Sequence, residues 1–297
     1  MDTGGTLMLI TLLVSGLVLG CIYGIVAMGY SLIYKASGLM SFAQGDLMTV
    51  GAYLGITFYS YMKLPFPISI IVIAIIMFFL GMLIERGVIR RLRAKGIAPI
   101  YVVLATIAIS YIIQNGCQKI WGSVMLNFPS IFKTSTIHLF GRNFQTEAIF
   151  TVIASVIIMF LLQFFMKKSK MGTAMRASAM DPVAAKACGI NVNITTGMTW
   201  GWAACTAALA GVMMGPLYGV FSTLGSQIGT KGFAAAVIGG YGNFVGSIVG
   251  GLILGLLEIF TSGYISSNYR DIISFTVLLL FLFVRPWGLF NERTIKN

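Results

Sequence analysis

Ionisable side chains are scarce in this chain. Only 9% of its 297 residues are charged and 58% are hydrophobic, whereas a soluble domain carries about 25% charged residues. Charge-free runs occupy residues 64–84, 96–118, 148–166, 187–230 and 232–257. Crossing a bilayer takes about 20 apolar residues, and backbone polar groups in lipid must pair internally. The runs are therefore predicted to be membrane-spanning helices, and an ordinary soluble fold is excluded.

Groups that could do chemistry are also scarce. The chain has one His and eight acidic residues, and it contains neither an HExxH nor a GxSxG motif. It has no P-loop, because both Lys-Gly pairs, Lys95-Gly96 and Lys231-Gly232, have the reverse order. We therefore predict that the chain is not an enzyme, does not hydrolyse ATP by itself, and needs no cofactor and no metal.

Cysteines are few and basic residues are in excess. The four cysteines show no CxxC spacing and are predicted to be small buried residues rather than disulfide or metal ligands. The net charge of +12 has a simple cause in a membrane protein, because Lys and Arg concentrate in loops on the cytoplasmic side. No basic stretch is interleaved with exposed aromatics, so nucleic-acid binding is not expected.

The hydrophobic pattern predicts eight segments, at about 7–34, 38–62, 64–84, 98–118, 148–166, 197–221, 232–260 and 271–290. Two loops between them are strongly basic, Glu85–Lys95 and Lys167–Lys186, and both are predicted to be cytoplasmic. Counting helices then places both termini outside, yet the tail with Arg285, Arg293 and Lys296 favours the inside. An extra partial crossing by Gly232–Gly242 would resolve this conflict.

The predicted fold is therefore all-α. It is a polytopic membrane helix bundle of about eight to nine transmembrane helices with broken or re-entrant segments, forming a single transmembrane domain over residues 1–297. The glycines between Gly239 and Gly251 include a GxxxG step, Gly246 to Gly250. They indicate either tight helix packing or a broken helix that lines a path, and Gly38–Gly55 is a second segment of this kind.

Asp46 is the notable charge within a predicted span. A carboxylate at membrane depth costs a few kcal/mol unless it is solvated or paired, so it is a candidate functional group. The alternative is that Asp46 lies near the cytoplasmic end of its helix, in water, and pairs with Lys35. Glu258 is interpreted as lying near a helix end.

The second basic loop, about residues 167–196, is predicted to be ordered. Met171–Met180 is rich in helix formers, and Asp181-Pro182 has the pattern of an N-cap followed by Pro at the first helical position. Gly189 suits the left-handed stop of a second short helix. The loop is either an interfacial amphipathic element or a docking element for a cytoplasmic partner.

Four blocks resemble the branched-chain amino acid permease family of ATP-binding-cassette (ABC) importers. They occur in order and with plausible spacing, at Gly38–Tyr53, Met171–Ile190, Ala234–Glu258 and Arg285–Phe290. Asp46 stands where the family often has Glu, which keeps the charge. The length is similar to that of the shorter, H-type permease rather than its M-type partner.

The resemblance implies a multi-pass permease subunit of the bacterial inner membrane that carries branched-chain amino acids. It implies a second related permease, two ABC ATPase subunits and an extracytoplasmic substrate-binding protein as partners. The broken-helix hypothesis, rather than the resemblance, gives the candidate path residues, which are Ser41, Phe42, Gln44, Asp46, Gly239, Gly240 and Gly242. The candidate ATPase-coupling residues that the resemblance implies are Gly172, Ala174, Arg176, Asp181, Ala185 and Gly189, and Arg176 is expected to pair with an ATPase carboxylate.

Other functions stay open at this point. The same family includes permeases for urea, amides and other amino acids, and the binding protein sets much of the specificity. A stand-alone secondary transporter would need intramembrane charges, of which Asp46 is nearly the only strong candidate. A passive channel would work without ATPases. An intramembrane enzyme would need catalytic clusters that the sequence lacks.

Overall fold

The structure, a computed structural model, describes residues 3–132, 136–139 and 142–290. Its helices are α1 Thr3–Ser37, α2 Ala43–Gly55, α3 Phe66–Ile84, α4 Arg90–Ala94, α5 Pro99–Trp121, α6 Thr146–Lys168, α7 Lys170–Met180, α8 Pro182–Ala187, α9 Val192–Tyr218, α10 Leu224–Gly239, α11 Phe244–Tyr264 and α12 Arg270–Val284. A π-helical stretch, Ile56–Tyr61, extends α2, and another, Glu85–Ile89, joins α3 to α4. The all-α prediction is confirmed.

A small β-hairpin lies between α5 and α6, on the side of the membrane away from the basic segments. Its strands are β1, Thr136–Leu139, and β2, Arg142–Gln145, and they pair antiparallel with Thr136 opposite Gln145. Beside it, Leu126 forms a bridge with Val220, which follows α9. The hairpin is the one element of the described chain that departs from a purely helical fold.

Seven helices in the described chain are long and apolar enough to cross a membrane. Two shorter helices, α10 and α2 with its π-helical extension, add further passes, and both begin inside the bundle. The chain leaves α9 at the hairpin side, where Val220 pairs with Leu126, and α10 then ends at Gly239 beside Gly246 of α11. Counted this way, the described chain makes nine passes, within the predicted range of eight to nine.

The extra pass removes the conflict over the C-terminal end. After α12 the backbone N–H of Leu289 donates to the carbonyl of Ile238, and that of Phe290 to the carbonyl of Gly239. The end of α12 therefore lies at the basic side of the bundle, where Arg285 was predicted to be. Arg293 and Lys296 lie outside the described residues.

Two predicted boundaries are wrong. Residues 232–260 are not one segment, because the chain turns at Gly240 and Gly242, whose φ angles of 104° and 91° are strained for residues with a side chain. Residues Glu85–Lys95 are mostly not a loop, because helical structure continues from α3 to Ala94. Charge alone suggested a loop there, but the segment is helical, with Arg86, Arg91 and Arg93 exposed and Arg90 paired with Glu85.

The core of the bundle is built on α1, α9 and α11. Helix α9 is the most enclosed of the long helices, and α12 and α5 are the least. Small residues let the helices approach closely: a Cβ atom on Gly20 of α1 would lie 2.9 Å from the Cα atom of Leu252 in α11. The exposed apolar faces of α5 and α12 are available to lipid or to another membrane subunit.

Candidate functional site

Helix α2 begins inside the bundle rather than at its edge. After α1 ends, the chain turns at Gly38, where φ is 67°, and runs back inward. The backbone N–H of Phe42 donates to Thr106 Oγ1 at 3.0 Å, and Asp46 accepts a hydrogen bond from Ser110. Ser110 lies midway along α5, so the first turn of α2 is at the middle of the membrane-spanning layer.

Helix α10 also begins at this depth. The backbone N–H of Gly225, in its first turn, donates to Thr49 Oγ1 of α2 at 2.8 Å. The two broken helices cross with almost no side chain between them, because a Cβ atom on Gly45 would lie 2.9 Å from the Cα atom of Gly229 and closer still to the carbonyl of Gly225. Paired broken helices of this kind form substrate sites in many transporters.

A cavity of about 460 Å³ lies where these helices meet α1 and α5. It is open on one side, and most of its lining is polar or glycine. The lining residues are Tyr30, Phe42, Gly45, Asp46, Ile107, Ser110, Tyr111, Gln114, Gly225, Ser226, Gly229 and Thr230. Among these described lining residues, Asp46 is the one with a carboxylate.

Asp46 is buried, and only one of its two carboxylate oxygens has a hydrogen-bond partner in the described chain. Its side chain is 1% exposed, Oδ2 accepts from Ser110, and Oδ1 has no hydrogen-bond partner among the described residues. The suggested pairing with Lys35 is wrong, because the Lys35 ammonium lies over the ring of Phe244, 5.3 Å from its centroid. Asp46 does begin a helix, but that helix starts at membrane depth rather than at the cytoplasmic surface.

The other candidate path residues divide between two places. Phe42 lines the cavity with Asp46. Gln44 points away from it and donates to the carbonyl of Ala203 at 2.8 Å, and Ser41 is buried. The remaining three glycines of the candidate set, Gly239, Gly240 and Gly242, lie at the α10–α11 turn, apart from the cavity. There a Cβ atom on Gly239 would meet the backbone of Gly246.

An ion network connects α10, α11 and α12, and it is buried at Glu258 and Lys231 and exposed at Arg270 and Asp271. Glu258 is 0% exposed, and its Oε1 lies 2.6 Å from Lys231 Nζ and 2.8 Å from Arg270 Nε. Its Oε2 accepts from the Tyr23 hydroxyl at 2.8 Å, and Lys231 also contacts Asp271 at 2.8 Å. The interpretation of Glu258 as a helix-end residue is wrong. The sequence did contain a signal for this ion network, because Lys231 is a single charge between two charge-free runs and therefore needs an acidic partner.

The second basic loop folds as predicted. Ser169 caps α7 by accepting from the backbone N–H of Gly172 at 2.8 Å. Asp181 Oδ1 caps α8 by accepting from the backbone N–H groups of Val183 and Ala184 at 2.8 and 3.0 Å. Gly189 ends α8 with φ at 80°, so the predicted N-cap and stop are both confirmed.

The candidate coupling residues mostly shape this loop from within. A Cβ atom on Gly172 would lie 2.6 Å from the carbonyl oxygen of Phe165, so α7 folds tightly against α6. Ala185 is buried, and Ala174 is half-buried. Arg176 is half-buried, and its guanidinium reaches the carbonyl of Lys167 at 3.4 Å rather than extending into water.

The exposed surface of the loop is apolar at its tip, a feature that the sequence reasoning missed. Met180 is 86% exposed and Val183 is 78% exposed, on either side of Asp181. Nearby, Arg90 donates to Glu85 at 2.5 Å and to the carbonyl of Asn193 at 2.7 Å. The first basic segment and the start of α9 are therefore held together at this face.

Comparison with known proteins agrees with this architecture. The family model described as "Branched-chain amino acid transport system / permease component" matches residues 12–282. The high-affinity branched-chain amino acid transport system permease protein LivH of Salmonella typhimurium is 32% identical, over 95% of this chain and 96% of the relative. The corresponding protein BraD of Pseudomonas aeruginosa is 31% identical, over 96% of each chain.

A more distant relative is the probable branched-chain amino acid transport permease protein LivH of Methanocaldococcus jannaschii. It is 27% identical, over 89% of this chain and 87% of the relative. No solved structure is significantly similar to the chain. The family is one of transport permeases and not of enzymes, and the seven long apolar helices are those of a multi-pass inner-membrane protein. The chain therefore belongs to the family of permease components of branched-chain amino acid transport systems.

Proposed function

We propose that this chain is the transmembrane permease subunit of an ABC importer for branched-chain amino acids. The observation that carries the proposal is the half-open cavity between helices α2 and α10, with the buried carboxylate of Asp46 in its wall. The near full-length similarity to permeases named for branched-chain amino acid transport supports this substrate class. Phe42 and Asp46 belong to the path, and Ser41, Gln44 and the glycines of the α10–α11 turn support it.

A second, related permease completes the path. The cavity opens on one side, and α5, which forms part of its wall, is one of the least enclosed long helices in the described chain. Tyr111 and Ile112 of α5 are 61% and 71% exposed. An apolar face of this kind next to a polar cavity fits a subunit interface that covers the cavity mouth.

Two ABC ATPase subunits bind the cytoplasmic face at residues 167–196. We infer that the apolar tip formed by Met180 and Val183 enters a groove on the ATPase, while Asp181 and Gly189 hold α8 in shape. Because α7 and α8 lead directly into α9, closure of the ATPases on ATP moves the inner helices of the permease. ATP hydrolysis takes place in those partners, and an extracytoplasmic binding protein delivers the substrate.

Affinity purification of the tagged chain from its native membrane tests this assignment. Mass spectrometry is expected to identify two P-loop ATPases and a second permease of the same family in the purified complex. As a matched control, the variant Met180→Glu is expected to retain the second permease and lose the ATPases. Recovery of the chain alone, where a known importer treated in parallel stays intact, would contradict the proposal.

A stand-alone secondary transporter is the second candidate, and the free oxygen of Asp46 is the observation that favours it. In that case a coupling ion would bind Asp46, and uptake would follow an ion gradient without ATP. Permeases of the same family for urea, amides or other amino acids form a third group of candidates. The chemistry of the delivered substrate separates them from the proposed importer.

A further inference from the structure

We propose that Asp46 binds the ammonium group of the amino acid as it passes through the cavity. This inference rests on the proposed function and deepens it. It assigns the part of the substrate that the permease itself recognises, whichever side chain the binding protein selects. The ligand class is a zwitterion whose cationic group contacts the carboxylate of Asp46.

The buried carboxylate of Asp46 has a hydrogen-bond partner on only one of its two oxygens. A buried carboxylate requires charged or hydrogen-bonding partners, and Ser110 provides one hydrogen bond to Oδ2 alone. Oδ1 has no partner among the described residues and is shielded from the cavity, although the cavity reaches Asp46. A small rotation of the carboxylate is therefore needed to present it fully to a ligand. A cation that enters the cavity can therefore complete the site.

Two basic side chains close to the cavity residues in sequence, Lys35 and Lys231, contact other groups. Lys35 lies over the ring of Phe244. Lys231 directly follows the cavity residue Thr230, but it contacts Glu258 at 2.6 Å and Asp271 at 2.8 Å. The described lining of the cavity contains no Lys and no Arg, so the compensating positive charge comes from the ligand.

The other charged group of the zwitterion is its carboxylate, which needs a positive partner. Helix α10, which has 16 residues, begins at the cavity wall with Gly225 and Ser226 in its first turn, where the Gly225 N–H already donates to Thr49 and the helix dipole is what remains for a ligand. The N-terminus of a helix carries a partial positive charge, and half-helices direct it at substrate carboxylates in other transporters. Because Gly45 contacts the first turns of α10, the two poles of the site are close together, as a compact zwitterion requires.

Transport by the complete reconstituted complex tests the role of Asp46. The complex contains this chain, its partner permease, the ATPases and saturating leucine-loaded binding protein. Asp46→Asn is expected to lower the initial rate of leucine uptake roughly tenfold or more, the effect of losing a hydrogen bond to a charged group. Asp46→Glu keeps the charge and is expected to restore a substantial part of the rate.

Two matched variants separate recognition from structure. Ser110→Ala removes the hydrogen bond to Asp46 and leaves the carboxylate, so uptake is expected to fall clearly less than with Asp46→Asn. Asp271→Asn makes the same chemical change at a carboxylate outside the cavity and is expected to have little effect. If Ser110→Ala and Asp46→Asn reduced uptake equally, Asp46 would be a structural acceptor and the proposal would be overturned.

Binding competition gives a test that does not depend on any variant folding. Radiolabelled leucine is bound to the wild-type complex without binding protein, at millimolar concentration. Leucinamide, which keeps the ammonium, is expected to compete, and 4-methylpentanoate, which lacks it, is not. Equal competition by both compounds, or no leucine binding, would overturn the proposal.

Failure of this inference can be told apart from failure of the proposed function. Stimulation of ATP hydrolysis by loaded binding protein reports assembly and coupling, and Asp46→Asn is expected to retain it. If the variant hydrolyses ATP and transports leucine at the wild-type rate, only the role of Asp46 is refuted. If the wild-type complex neither assembles nor hydrolyses ATP, the importer assignment itself is refuted.

Discussion

The crossing of α2 and α10 depends on Gly45, and Gly45→Ala tests that dependence. The backbones of the two helices are in direct contact, with Gly45 of α2 against Gly225 and Gly229 of α10. Any side chain at position 45 enters the space that the backbone of α10 occupies. We expect the substitution to separate the broken helices and to deform the cavity wall.

The size of the effect follows from the distances. The new Cβ atom would lie 2.9 Å from the Cα atom of Gly229, whereas carbon atoms pack at about 3.5–4.0 Å, so the helices must separate by about 1 Å. Overpacking of this kind costs about 1–3 kcal/mol. The hydrogen bond from Gly225 to Thr49, now 2.8 Å, would lengthen beyond bonding distance and cost about 1 kcal/mol more. The higher helix propensity of Ala returns about 1 kcal/mol.

We therefore expect Gly45→Ala to lower the free energy of unfolding by about 1–3 kcal/mol and to reduce uptake strongly. The assay is denaturant unfolding of the detergent-solubilised subunit, followed by tryptophan fluorescence, alongside uptake in proteoliposomes. Gly116→Ala is the matched control, because Gly116 lies within helix α5 and a Cβ atom there meets nothing within 4 Å. It is expected to be neutral or slightly stabilising.

The reasoning would be refuted by a Gly45→Ala variant with wild-type stability and wild-type uptake. It would be equally refuted if Gly116→Ala produced the same loss, because the effect would then belong to glycine in membrane helices generally. A loss confined to Gly45→Ala assigns it to the close approach of α2 and α10.

Two further predictions concern the ion network and the docking tip. Glu258→Gln leaves Lys231 and Arg270 partly uncompensated in the bundle, so the unfolding free energy is expected to fall by about 3 kcal/mol. Denaturant unfolding measures the fall, and adding Lys231→Met is expected to recover part of it. Met180→Glu and Val183→Glu replace exposed side chains, so stability is expected to change by less than about 0.5 kcal/mol. Pull-down from membranes is nevertheless expected to lose the ATPases, and undiminished recovery would contradict the docking role.

Much of the bundle could be predicted from the sequence, because lipid imposes strict demands on composition. Hydrophobic segments identified the long helices, and the basic segments mark the helix ends that were predicted to be cytoplasmic. The Asp181 cap and the Gly189 stop were predictable because capping is local: a short polar side chain or a glycine satisfies nearby backbone groups whatever the rest of the fold does.

Long-range pairing could not be predicted in this way. Whether Gly232–Gly242 formed its own pass depended on the turn at Gly240, and the conflict over the C-terminal end showed that an extra crossing was needed. Asp46 was recognised as a candidate, but its contact with Ser110 joins residues far apart in sequence. The pairing of Lys231 with Glu258 and Arg270 was missed for the same reason.

The proposed docking surface was only half predictable. The residues that shape α7 and α8 carry local signals, so the sequence showed where the loop would be ordered. The residues that protrude from it, Met180 and Val183, are apolar and have no distinctive pattern. Their significance comes from exposure, which depends on how α7 folds against α6 through the contact of Gly172 with Phe165.

The most direct test of the importer assignment is leucine uptake into proteoliposomes that contain the purified complex, measured with and without ATP inside. The account predicts that uptake requires ATP, the ATPases and leucine-loaded binding protein together, and that it stops when any one is omitted. Leucine uptake by this chain without ATPases, driven by a proton or sodium gradient, would contradict it.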